Sequence, residues 1–171
     1  MRNIKKVVLL LVVVVIGSLL TFQIVKAAYP TPPSLESEVF VQGGNGFGSG
    51  DVFIRRYTNT IVNVGSDITY TDSATNGATF TINTNGLYAM TLTDWAASTA
   101  DGFGVSVDAT PSAAIPTDGG QLCSISSGPS LVSGCSATAY LNANDAVRAH
   151  WGAGNVANTV AQARFIIVKV K

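Results

Sequence analysis

Through the middle of the chain, four pairs of residues that accept left-handed backbone interrupt the sequence, leaving little room for a long helix between them. Asn76-Gly77, Asn85-Gly86, Asp101-Gly102 and Asp118-Gly119 are such pairs, and Asn-Gly and Asp-Gly are the dipeptides that form tight hairpin turns at least cost. Between them lie short runs rich in Val, Ile, Thr, Phe and Tyr, the residues that suit a pleated, half-buried surface. The expected strands are 52–57, 60–64, 78–82, 86–95, 103–108, 121–126, 136–141, 146–151 and 160–170. Evenly spaced short strands without intervening helices predict an all-β sandwich or barrel, and exclude a parallel α/β sheet.

Composition supports one folded domain. Hydrophobic residues make up 47% of the 171, enough for a core, while 12% charged residues is too few for amphipathic surface helices. Gly43 to Gly50 holds five glycines in eight residues and reads as a mobile loop. It has neither the spacing nor the following helix of a phosphate-binding loop.

The first 28 residues differ from the rest. Arg2, Lys5 and Lys6 precede an aliphatic run from Val7 to Leu20, and small residues follow at Ala27 and Ala28. This is the pattern of a secretory signal peptide. The apolar stretch from Val7 to Val25 also approaches the ~20 residues that cross a bilayer, so an uncleaved membrane anchor is the competing reading. Either way the domain is expected outside the cytoplasm, with membrane contact only through that segment. Residues 29–37 form a proline-rich spacer, and the domain proper is expected over 38–171.

The formal charge of zero conceals an asymmetry: four of the ten basic residues lie in the leader, so ten acids against six bases leave the remainder at minus four. That balance disfavours nucleic acid as a partner, since phosphate neutralisation needs a basic cluster. An exported domain can keep a disulfide. Cys123 and Cys135 stand six residues either side of Pro129, as they would if paired across a hairpin turning at residues 127–130. No C-x-x-C and no histidine cluster suggests a thiol or metal centre instead.

Alternation gives some strands one wet face: Phe103, Val105 and Val107 oppose Gly104 and Ser106, and Val147, Ala149 and Trp151 oppose Arg148 and His150. Two others are apolar on both sides. Tyr88, Met90 and Leu92 oppose Leu87, Ala89 and Trp95, and Ile166, Val168 and Val170 oppose Phe165 and Ile167. A two-layer sandwich leaves the outer face of each sheet to water, so such strands need a second cover. A further copy of the chain is one cover; the glycine-rich loop with the spacer is the other.

Gly86-Leu87-Tyr88-Ala89-Met90, then Ala139-Tyr140-Leu141-Asn142-Ala143-Asn144-Asp145-Ala146-Val147, then a closing strand led by Phe165, resemble the complement C1q-type globular head, a relative of tumour necrosis factor. The succession covers roughly residues 38–171. Asn144 stands where that family has glycine, and Asn is the best non-glycine residue for a left-handed position. The last strand lacks the family's small residue after its aromatic, and no collagen-like stem precedes the head. The resemblance implies a two-sheet antiparallel jelly-roll sandwich of about ten strands, forming a compact homotrimer with the terminal strand's sheet on the threefold axis. Tyr88, Met90, Phe165 and Ile167 are the interface candidates.

Catalytic chemistry finds little purchase. His150 is the one histidine, no Gly-x-Ser-x-Gly elbow accompanies it, and no enzyme activity is expected. Arg148 and His150 together are a candidate contact for a polar or anionic ligand. Asp94, Asp101 and Asp108 flank loops that could converge on calcium, although without calcium-loop spacing; no other cofactor is expected. Trp95 and Trp151 could stack on sugar if exposed, but their apolar neighbours favour core packing. The expectation is a secreted or surface-displayed homotrimeric head with a structural or adhesive role. A recognition module for glycan, another small ligand or a surface protein is the alternative.

Overall fold

Residues 36–50, 53–96, 101–107, 120–127, 131–151 and 161–170 are described by the computed structural model. The leader, and the spacer up to residue 35, lie outside the described residues. Ten strands follow in chain order: β1 Glu38–Phe47, β2 Arg55–Val64, β3 Ile68–Ser73, β4 Gly77–Ile82, β5 Gly86–Ala96, β6 Asp101–Val107, β7 Gln121–Ser127, β8 Leu131–Leu141, β9 Ala146–Trp151 and β10 Arg164–Lys169. They form two five-stranded sheets, β2-β1-β10-β5-β8 and β3-β4-β9-β6-β7, with every named pairing antiparallel. The all-β expectation holds, and the sheet orders are those of a jelly roll.

Alternation decides what lies between the sheets. From the first sheet come Val39, Val41, Tyr57, Tyr88, Met90, Leu92, Phe165 and Ile167; from the second come Ile68, Phe80, Ile82, Phe103, Val105, Val147 and Trp151, all buried. Phe80 packs on Phe165 across the layers with ring centroids 4.5 Å apart, and Phe103 stacks on Trp151 at 5.2 Å. Each such aromatic removes a large apolar area from water, the dominant favourable term in folding. Trp151 is therefore core, as its neighbours implied, and Trp95 is half-buried against the core's rim.

Several element boundaries differ from expectation. The strands expected at 52–57 and 60–64 are replaced by one, β2, which begins at Arg55 and runs unbroken to Val64, and β3 is an additional strand. The glycine-rich segment is largely strand: β1 runs through Gly43, Gly44 and Gly46 to Phe47, with register shifts against β2. Gly48, Ser49 and Gly50 then bond to Ile54, Ala74 and Thr75, so the segment is fastened to the β3–β4 turn. At Gly44 the reason for glycine is steric, because a Cβ there would lie 2.1 Å from Arg55 Nη2. Asp101-Gly102 begins β6 and is not a turn.

The two lateral rims of the sandwich are closed by different chemistry. On one rim Arg56 of β2 grips Asp72 of β3, with Nη2–Oδ2 at 2.7 Å and Nε–Oδ2 at 3.1 Å. On the other Cys123 of β7 is bonded to Cys135 of β8, with Cα atoms 5.9 Å apart. The cysteine pairing is as expected, but its setting is not. β7 and β8 are edge strands of different sheets, so the bond staples layer to layer and does not cross a hairpin ladder.

Candidate interaction surface

Register fixes what the first sheet shows on its outer side. One row across the sheet holds Val64, Glu38, Val168, Ala89 and Thr138, and the next holds Val62, Phe40, Ile166, Thr91 and Ser136. Beyond the first row, Leu87 faces Tyr140 and Val170 donates its N–H to the Leu87 carbonyl at 2.8 Å. Phe40, Val62, Ile166 and Val168 are only half-buried, and Tyr140 is 65% exposed. The second sheet's outer side is of another kind: Thr69 faces Thr81, Thr71 faces Thr79, Gly104 faces Ser124 and Ser106 faces Arg148. Ile61, Val64, Leu87, Val132, Tyr140 and Val170, the large exposed hydrophobics among the described residues, all belong to first-sheet strands or the residue after β10.

That asymmetry corrects the choice of interface candidates. Tyr88, Met90, Phe165 and Ile167 do share one face, since Met90 pairs with Ile167 and Leu92 with Phe165, but it is the inner one, and all four are buried in the core of a single copy. Both faces of β5 and β10 are apolar, as read, and the uncovered set is Leu87, Ala89, Ile166 and Val168 with Phe40 and Tyr140 beside them. The signal was the same alternation taken in the opposite phase.

Arg148 and His150 do not form an exposed ligand contact. Arg148 is half-buried and its Nε donates to Thr79 Oγ1 at 3.2 Å. His150 is 1% exposed, set between Gly104 of β6 and the backbone of Ile54. Ile54 bridges to His150 within the sheet, and the imidazole that simple alternation assigned to solvent is buried.

Asp94 is not a calcium ligand in waiting. It is buried, its Oδ2 lies 3.0 Å from Arg55 Nε, its Oδ1 accepts from Arg55 Nη2 at 3.1 Å and from the Trp95 N–H at 2.8 Å. Burial raises its pKa, and the Arg55 charge with these hydrogen bonds offsets only part of that rise. Arg55 also stands over the Phe47 ring, 5.0 Å from its centroid, and nearby Tyr57 has its pKa pushed well up by burial. The Asp101 side chain and all of Asp108 lie outside the described residues. Among the described residues no group of three or more His, Cys, Asp or Glu side chains could hold a metal ion.

A second polar cluster gathers at the pole where β1 begins and β10 ends. Lys169 Nζ lies 2.9 Å from Asp67 Oδ1 and 3.3 Å from Glu36 Oε2. Ser37 Oγ donates to Asp67 Oδ2 at 2.8 Å, and Thr84 bonds the other oxygen. The hydrogen bonds from Thr84, Lys169 and Ser37 hold the Asp67 carboxyl at about 2, below its ordinary range. At the same pole the Asn142–Asp145 turn is fastened by Asp145 Oδ2 accepting the Asn142 N–H at 2.8 Å. Asn144 there has φ 77°, the left-handed conformation expected of it.

Two five-stranded antiparallel sheets in these orders, one with a polar outer side and one with an apolar outer side, define a jelly-roll sandwich. Among solved structures the chain is similar to murine APRIL, with a TM-score of 0.57 at 11% identity over 78% of this chain and 98% of that one. It is likewise similar to the globular domain of zebrafish complement 1qA protein, with a TM-score of 0.54 at 14% identity over 80% of this chain and 98% of that one. No family model matches the sequence, and no curated protein does.

Proposed function

We propose that the domain is the homotrimeric head of a secreted or surface-displayed protein, with a structural or adhesive and non-catalytic role. The observation that carries this reading is the segregation of exposed apolar side chains onto the first sheet, whose central strands β10 and β5 offer Ile166, Val168, Leu87 and Ala89 outward. An apolar sheet face of that kind marks an association surface, and the likeness to C1q-type and tumour necrosis factor-type heads supports a threefold arrangement of copies. The Cys123–Cys135 bond supports an oxidising, extracellular setting.

Sedimentation of the full chain tests the reading. A mass that is a multiple of three subunits at micromolar concentration is expected, and Ile166→Asp combined with Val168→Asp abolishes the threefold species while circular dichroism stays that of a β sandwich. A parent chain that sediments as a single copy throughout that range overturns it.

A further inference from the structure

The free edge of the first sheet carries a second, different self-complementarity. β2 is the terminal strand of that sheet, and its Thr58–Val64 stretch reads Thr-Asn-Thr-Ile-Val-Asn-Val. About Ile61 this is a palindrome in chemistry: β-branched residues at 60 and 62, asparagines at 59 and 63, and β-branched residues again at 58 and 64. Six of these seven residues are exposed, Ile61 to 53% and Val64 to 51%. The stretch contains no charge and no proline. Natural sheets protect a long edge with such residues because its unpaired N–H and C=O groups are a template for another strand.

We infer that β2 is a pairing edge for the same strand of a second copy, antiparallel and centred on Ile61. In an antiparallel pair about a twofold axis, residue i meets j and j meets i, so Ile61 meets Ile61, Asn59 meets Asn63 twice, and the β-branched positions meet each other. Opposed side chains in such a ladder have Cβ atoms about 4.5–5.5 Å apart, close enough for facing side chains to pack. A partner chain of arbitrary sequence would satisfy the backbone of β2, but the palindrome is matched only by its own copy. β2 does carry a register irregularity against β1, where Phe40 pairs with Val62 and Val41 with Thr60. This takes Ile61 out of the ladder with β1 and leaves its side chain exposed at the centre of the symmetry. The contact uses the backbone edge of β2, whereas the trimer reading rests on Ile166, Val168, Leu87 and Ala89 of β10 and β5, so the two associations are separable.

Three variants of the full chain, followed by sedimentation, test the pairing. The parent is expected at twice the mass of the assembly formed by the apolar face, and Ile61→Lys, which sets two cations face to face, lowers the mass two-fold. Asn59→Lys with Asn63→Lys does the same. Asn59→Lys with Asn63→Glu places the same number of charges on the edge but opposes unlike signs, and retains the doubled mass. As a direct readout, Ile61→Cys yields a copy-to-copy disulfide on oxidation, seen as a doubled band that reduction reverses.

Equal behaviour of the two double variants, or an undiminished mass for Ile61→Lys, overturns the pairing. A parent that sediments as an isolated trimer overturns it and leaves the trimer standing. A parent that is a pair of single copies overturns the trimer and leaves the pairing.

Discussion

Arg55 on β2 and Asp94 on β5 meet inside the sandwich through two contacts of 3.0 and 3.1 Å, although β1 and β10 lie between their strands in the sheet. The guanidinium crosses beneath the backbone of β1 where Gly44 leaves room for it. Burying an ion pair gains little over a well-packed apolar pair, but removing one partner strands the other without water. Asp94→Ala is therefore expected to lower unfolding free energy by about 3–5 kcal/mol, measured by urea denaturation. The double change Arg55→Met with Asp94→Leu recovers most of that loss.

Gly44→Ala tests the same contact from the opposite side. Its methyl would meet Arg55 Nη2 at 2.1 Å and Cζ at 2.7 Å, so the guanidinium must move off Asp94. The expected cost is about 1–3 kcal/mol, in the range for overpacked sites. In the Arg55→Met background the same substitution costs much less, and a double-mutant cycle reads the difference.

Acid titration separates two carboxyls of opposite sign. Asp67 has a folded pKa of about 2, below its unfolded value, so its contribution to stability is complete above the ordinary carboxylate range and is lost as pH falls towards 2. Asp94 is raised, so the fold favours its protonated form, and that contribution fades as pH rises through the folded value. Asp67→Asn should flatten the acid side of a stability profile followed by tryptophan fluorescence, while Asp94→Asn should flatten the segment above the ordinary carboxylate pKa. A profile unchanged by either substitution contradicts the assignment.

At Asn144 the backbone φ of 77° sets a clear order of tolerance. Asn144→Gly is expected to be neutral to within a few tenths of a kcal/mol, whereas Asn144→Val costs about 1–2 kcal/mol because a Cβ-branched residue clashes in that region. Thermal melts of the two proteins decide it.

Reduction of the Cys123–Cys135 bond, or replacement of both by Ser, removes a cross-link spanning 12 positions. The chain-entropy account gives a loss of about 3 kcal/mol. The sandwich should still fold, since the Phe80–Phe165 and Phe103–Trp151 contacts do not involve the cysteines, but its denaturation midpoint drops.

The sequence carried most of the architecture because alternation is local. Phe103, Val105 and Val107 face inward or nearly so, and Asn144 turns as its chemistry demands. What escaped notice depended on distant partners. β1 was hidden by glycines whose need is set by Arg55, eleven residues beyond Gly44. The role of Asp94 depended on a guanidinium 39 residues earlier. For β5 and β10, apolar on both sides, alternation separates two sets of side chains but cannot say which set the opposing sheet covers, so the interface candidates came from the set with Tyr88 and Phe165 and not from the set with Leu87 and Ile166.

The Lys169, Asp67 and Ser37 network binds the start of β1 to the end of β10, so the first strand begins and the last strand ends at the same pole. Alternating strand direction then carries Phe47, Ala96, Ser127 and Trp151 to the opposite pole. Whatever precedes β1 and whatever follows β10 therefore joins the sandwich at one pole, and the strand ends at Phe47, Ala96, Ser127 and Trp151 lie away from both points of attachment.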